Sequence, residues 1–150
     1  GYIKISCFST KKDSILMWSH YGNSHKGICI GYECYEKDGE VYPFLENKLE
    51  IPLYKVRYKK FSSRYDFLRE NTEEYKDCIF EKHPNWSYEN EYRLVMVNGK
   101  YQKDKNLRKT FYQKTCIKEV IFGCKTDEKI VKDVLDKLSE FDINPEKINE

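Results

Sequence analysis

Two carboxylates and a guanidinium recur at two-residue spacing in the stretch Trp86 to Val97, WSYENEYRLVMV. An extended strand turns successive side chains to opposite faces. A strand here therefore gathers Glu89, Glu91, Arg93 and Val95 on one side and Tyr88, Tyr92, Leu94 and Met96 on the other. The second set is aromatic and aliphatic, the expected core side. The first is a row of two acids and a base, about 7 Å apart from one Cα to the next. Arg93 beside Glu91 favours the ionised carboxylate. Such a set can bind the hydroxyls of a sugar, steady a developing oxocarbenium ion or hold a metal ion. The bland counterpart is a solvated face whose Glu–Arg pairs add almost nothing to stability.

A second candidate is LMWSHYG, Leu16 to Gly22. His20 and Tyr21 follow Trp18 and Ser19 at a helix end, where polar tips can reach a cleft. Leu16 and His20 lie one helical turn apart, as do Met17 and Tyr21, a spacing that equally suits a hydrogen-bonded structural histidine. His25 and His83 read as surface residues. His20, His25, Cys29 and Cys34 match no standard zinc spacing. A third stretch, VIFGCKT (Val120 to Thr126), has the look of a phosphate loop but lacks the first glycine and the length of a Walker motif. It reads as strand-to-helix punctuation.

Around these candidates the hydropathy pattern places the elements. Tyr2 to Phe8 alternates as a half-buried strand with hydroxyls at its exit. Asp13 or Ser14 caps a short helix, ILMWSHY, which Gly22 is expected to close in a left-handed conformation. Gly27 to Tyr32 reads as a buried strand, and residues 33 to 51 as a loop excursion. Leu53 to Tyr58 alternates as one two-faced strand. A long helix is expected from Ser62 or Ser63 to about Lys82, with Tyr65, Leu68, Tyr75 and Ile79 as its apolar stripe. Pro84 ends it. Asn98-Gly99 signals a hairpin. Strands follow at Arg108 to Gln113 and Ile117 to Phe122, and Thr126 is expected to cap a final amphipathic helix. The sum is α+β, a mostly antiparallel sheet with two substantial helices.

The totals agree with a single globular domain over residues 1–150: 39% hydrophobic, 35% charged, and a net charge of +2 that is too mild to imply nucleic acid by itself. No apolar run approaches a membrane span. Tyrosine supplies 13 of the aromatic residues, useful in a nucleotide pocket and equally in half-buried strands. The six cysteines include no CxxC pair and fall mostly in apolar runs, so they read as small hydrophobes in a reducing, cytoplasmic compartment. The chain opens at Gly1 and runs straight into a strand, which reads as the C-terminal part of a longer domain.

CFS at Cys7 to Ser9, LMWSHYG followed by KGICIGY, WSYENEYRL and IKEVIFG together resemble the bacterial domain of unknown function 2971. That family label implies no activity. Its members usually carry a preceding segment with an Asn-Asp-Pro motif, before the point where this chain begins. A more distant likeness is to ADP-ribosyltransferases, in which an E-x-E motif like Glu89-Asn90-Glu91 enters a strand. The resemblance implies NAD as substrate, with Glu91 holding the nicotinamide ribose, Glu89 orienting the acceptor (protein or nucleic acid) and Arg93 orienting Glu91. It also implies an NAD site of Ser9, Trp18, Tyr21 and Arg93, with His20 binding NAD beside the two glutamates as part of the catalytic set, and an effector role in a bacterial toxin or phage-defence system. Two other expectations stand beside it: a metal-independent ribonuclease using His20 as acid or base, and a non-catalytic domain that recognises a nucleotide or a protein partner.

Overall fold

The computed structural model describes residues 2–46, 49–60, 79–98, 112–139 and 146–147. The fold is α+β with mostly antiparallel strand pairing, as the hydropathy pattern implies. The chain divides into two compact units, each assembled from two stretches: Gly1–Lys11 with Leu53–Tyr101, and Lys12–Pro52 with Gln102–Glu150.

In the first unit, β1 (Tyr2–Ser9) and β5 (Leu53–Lys55) flank β8 (Glu91–Asn98), both antiparallel to it. The register runs from Tyr2 opposite Asn98 to Ser9 opposite Glu91 on one side, and from Leu53 opposite Leu94 to Lys55 opposite Tyr92 on the other. Leu94 and Val56 are buried apolar anchors of this unit. The expected single strand over Leu53 to Tyr58 breaks at Val56, whose N–H donates to the Glu91 carbonyl at 2.9 Å. Beyond the break, β6 (Arg57–Tyr58) pairs in parallel with β7 (Glu81–Lys82). The expected long helix falls mostly outside the described residues, as does Gly99 of the hairpin signal. Residues 79 and 80 are helical, and Glu81 already belongs to a strand, so no helix reaches Lys82.

The largest correction concerns WSYENEYRLVMV, of which only the part from Glu91 onward is strand. Pro84–Glu89 forms a 3₁₀ helix. Proline suits a first helical turn because its φ is already helical and the N–H it lacks has no partner there. The His83 side chain accepts from Asn85 N–H at the entry. Asn90 then adopts a left-handed conformation, φ 43° and ψ 53°, which asparagine tolerates better than most residues. Strict alternation across Glu89 and Glu91 therefore does not hold.

In the second unit, Ser14 caps α1 (Ile15–His20), its Oγ accepting from Met17 N–H at 3.4 Å. β9 (Ile117–Phe122) lies between β2 (Ile28–Tyr32), antiparallel, and β10 (Glu146–Lys147), parallel. Val120, Ile121 and Phe122 are buried. The expected loop at 33 to 51 instead contains a hairpin, β3 (Cys34–Lys37) and β4 (Glu40–Pro43). Its turn is Asp38-Gly39, both at positive φ (54° and 79°), an Asp-Gly hairpin signal passed over in a charged stretch. α2 (Glu128–Leu138) is capped by Asp127, which accepts from Lys129 N–H at 2.8 Å. Thr126 does not cap it; its hydroxyl donates to the Gly27 carbonyl at 3.0 Å. Of the strand expected at Arg108 to Gln113, residues before Tyr112 lie outside the described set, and Tyr112 bridges Leu45. Gly22 is not left-handed: in the loop after α1 the positive-φ residues are Asn23, Ser24 and His25. Glycine is required at position 22 for another reason, since a Cβ there would stand 2.6 Å from Trp18 Cε3.

Candidate functional site

Glu89 and Glu91 are both buried, at 3% and 4% exposure. They are not the solvated face that the sequence allows. The left-handed Asn90 turns the chain between them, and the two carboxylates converge on one ammonium. Lys82 Nζ donates to Glu89 Oε2 and, at 3.1 Å, to Glu91 Oε2. Arg93 closes the other side of Glu91, with Nε 2.7 Å from Oε1 and Nη2 3.1 Å from Oε2. This forked pairing is the strong, orienting form of a carboxylate contact. Arg93 Nη1 also donates to the Ile79 carbonyl. Trp86 lies over the Lys82 ammonium, 5.0 Å from it to the ring centroid.

Burial alone would raise the pKa of Glu91, but hydrogen bonds from Arg93, Cys7 and Lys82 outweigh it and hold the carboxyl down at about 2. For Lys82, burial is likewise overridden by its bonds to the two glutamates, and its pKa rises. Cys7, opposite Arg93 in the sheet register, is pushed up to about 11, first by desolvation of the sulfur and then by its hydrogen bond to Glu91. It is a neutral thiol, unsuited to nucleophilic attack. The main chain is fixed as firmly as the side chains. Glu91 N–H donates to Tyr58 Oη at 2.8 Å, and Ser9 Oγ donates to the Glu89 carbonyl at 2.6 Å while accepting from Lys11 N–H. The Asn90 amide donates to Thr10 Oγ1.

The first unit thus gathers Ser9, Glu89, Glu91 and Arg93. Trp18, His20 and Tyr21 belong to the second unit. There Trp18 Nε1 donates to the Lys12 carbonyl at 2.8 Å. His20 and Tyr21 are exposed at the end of α1, their rings in an edge contact of 6.3 Å. His25, which reads as a surface residue in the sequence, is half-buried with Nε2 3.0 Å from Ser19 Oγ. Lys82, Cys7 and Tyr58 complete the carboxylate cluster without any signal in the sequence, because each reaches it through strand pairing. Cys7, Cys29, Cys34, Cys116 and Cys124 are free thiols. Among the described residues no group of three or more His, Cys, Asp or Glu is placed to hold a metal ion, and no helix is long and apolar enough to cross a membrane. The VIFGCKT stretch is strand-to-helix punctuation: β9 ends at Phe122, and a Cβ on Gly123 would meet the His25 carbonyl oxygen at 2.2 Å.

Chemically, the cluster is an oriented carboxylate, ionised at neutral pH, whose neighbouring acid is paired with a lysine. A family model described as "Protein of unknown function (DUF2971)" matches residues 17–94, more than half of the chain. No curated protein and no solved structure matches.

Proposed function

The chain belongs to the DUF2971 family, whose description assigns no activity, and on that premise we propose that its first unit is an NAD-using, ADP-ribosyltransferase-like site. The observation that carries the reading is the β1–β8 register, in which Ser9 stands opposite an ionised Glu91. In this reading a serine-bearing strand lines the nucleotide and Glu91 stabilises positive charge on the ribose as nicotinamide departs. Arg93 fixes the Glu91 carboxylate, and Glu89 positions the acceptor nucleophile once Lys82 has moved. The biological setting would be an effector of a bacterial toxin or phage-defence system.

Nicotinamide release from NAD tests it, followed beside Glu91→Gln at a temperature where circular dichroism shows both proteins folded. Release by the wild type and its loss in the variant support transfer chemistry. The saturation of both carboxylates by Lys82 and Arg93 favours a second reading, recognition of a nucleotide without turnover. NAD binding by calorimetry with no product over hours selects that one. Neither release nor binding overturns both.

A further inference from the structure

Ser19 and His25 belong to the second unit, and the nucleotide reading uses neither. Ser19 is exposed on the last turn of α1, and its Oγ lies 3.0 Å from His25 Nε2. The chain reverses between them through three consecutive left-handed residues, Asn23, Ser24 and His25, with φ of 49°, 55° and 69°. Non-glycine residues in that region are strained and persist where the surroundings enforce them. Here the enforcement is visible. His25 N–H donates to the Trp18 carbonyl at 3.2 Å, and the His25 carbonyl accepts from Lys125 N–H at 2.9 Å. The same carbonyl presses so closely on Gly123 that no side chain fits there. Both backbone groups of the histidine are fixed, and its ring is delivered to one hydroxyl. His25 also lines, with Asp13, Trp18, Gly123 and Cys124, a cavity of about 30 Å³, enough for a water molecule.

We propose that Ser19 and His25 are a nucleophile–base pair that accepts an acyl group from an activated ester or thioester. Ser19 Oγ bonds to the carbonyl carbon as its proton passes to His25 Nε2. The tetrahedral adduct breaks its bond to the leaving alcohol or thiol, which takes that proton. A water molecule beside His25 then gives a proton to Nε2 and attacks the seryl ester. The carboxylic acid departs and Ser19 recovers its hydroxyl proton. Ser19 Oγ is also 3.0 Å from the Ile15 carbonyl, the back-bond common for a helical serine. The hydroxyl has one proton to give, so the competing arrangement is a structural staple in which His25 donates to Ser19 and Ser19 to Ile15.

A fluorophosphonate probe applied to the full chain separates the two, with the labelled peptide located by mass spectrometry. The expected result is a label on Ser19 that is absent in Ser19→Ala and forms at least about 10²-fold more slowly in His25→Gln, the contribution of a positioned general base. No label on Ser19 in the folded wild type, or an equal rate in His25→Gln, overturns the proposal. Should His25→Gln fail to fold, p-nitrophenyl acetate provides the second reading through Ser19→Ala, a substitution at an exposed position that is expected to keep the fold. A burst of p-nitrophenol from the wild type, lost in Ser19→Ala, upholds the pair, and its absence from the wild type overturns it. Glu91→Gln is expected to leave the label unchanged, so this outcome is independent of the NAD reading.

Discussion

Two buried carboxylates of the first unit, Glu81 and Glu91, are each met by two cations, yet they are different kinds of site. Glu81 faces Arg57 at 3.1 Å and Lys59 at 2.6 Å, cations that are themselves 59% and 46% exposed. Glu91 faces Arg93 and Lys82, at 13% and 22% exposure. Water screens the first set from its outer side, while in the second the charges meet where screening is weak. The number of ion pairs is equal. What distinguishes the sites is how far the cations are withdrawn from solvent, and the withdrawn set holds its carboxylate in a forked pairing with Arg93.

Removing one cation from each site is the most direct way to break this comparison. Arg93→Ala leaves Glu91 buried without its forked partner and is expected to cost about 3–5 kcal/mol in urea unfolding at pH 7. Acidification gives the next largest effect. Glu91 has a folded pKa of about 2 against an ordinary value of 4.5. Its stabilisation is fully present above pH 4.5 and is lost as pH falls toward 2, amounting to about 3 kcal/mol. The slope of unfolding free energy against pH over that window should flatten in Glu91→Gln. The smallest effect belongs to Arg57→Ala, expected within about 1 kcal/mol and shrinking further in salt. A loss at Arg57 equal to that at Arg93 would show that withdrawal from solvent is not what separates the two sites.

The sequence displays this division only in part. Its hydropathy pattern placed β1, β2, β9 and α2, because strands and helices write their periods into the apolar residues; the expected burial of β2 is not met, since Ile28 and Ile30 are exposed, and α2 has no fully buried residue. It identified Glu89, Glu91 and Arg93 as a set by composition and spacing, but assigned them a common strand face that Asn90 interrupts. A left-handed residue between two glutamates leaves no periodic trace. Cys7 was invisible for a different cause, since its meeting with Glu91 is decided by the pairing of β1 with β8, far apart in the chain; Lys82 lies only nine residues before Glu91, but the 3₁₀ turn that folds it back leaves no periodic trace. His25 shows the same limit, since the turn that brings it to Ser19 is built from Asn and Ser in a conformation neither residue announces. The Asp38-Gly39 hairpin was legible and was obscured by the charged residues around it.

The bond between Ser9 and the Glu89 carbonyl joins positions 80 residues apart, and that separation governs when Ser9 joins the carboxylate cluster. During synthesis β1 emerges long before its partner β8, and a contact across so large a loop bears its closure entropy before any packing rewards it. Ser9 therefore waits on the arrival of its partner, whereas Lys82, Glu89, Glu91 and Arg93 lie within twelve residues of one another and meet across a short loop of small closure entropy.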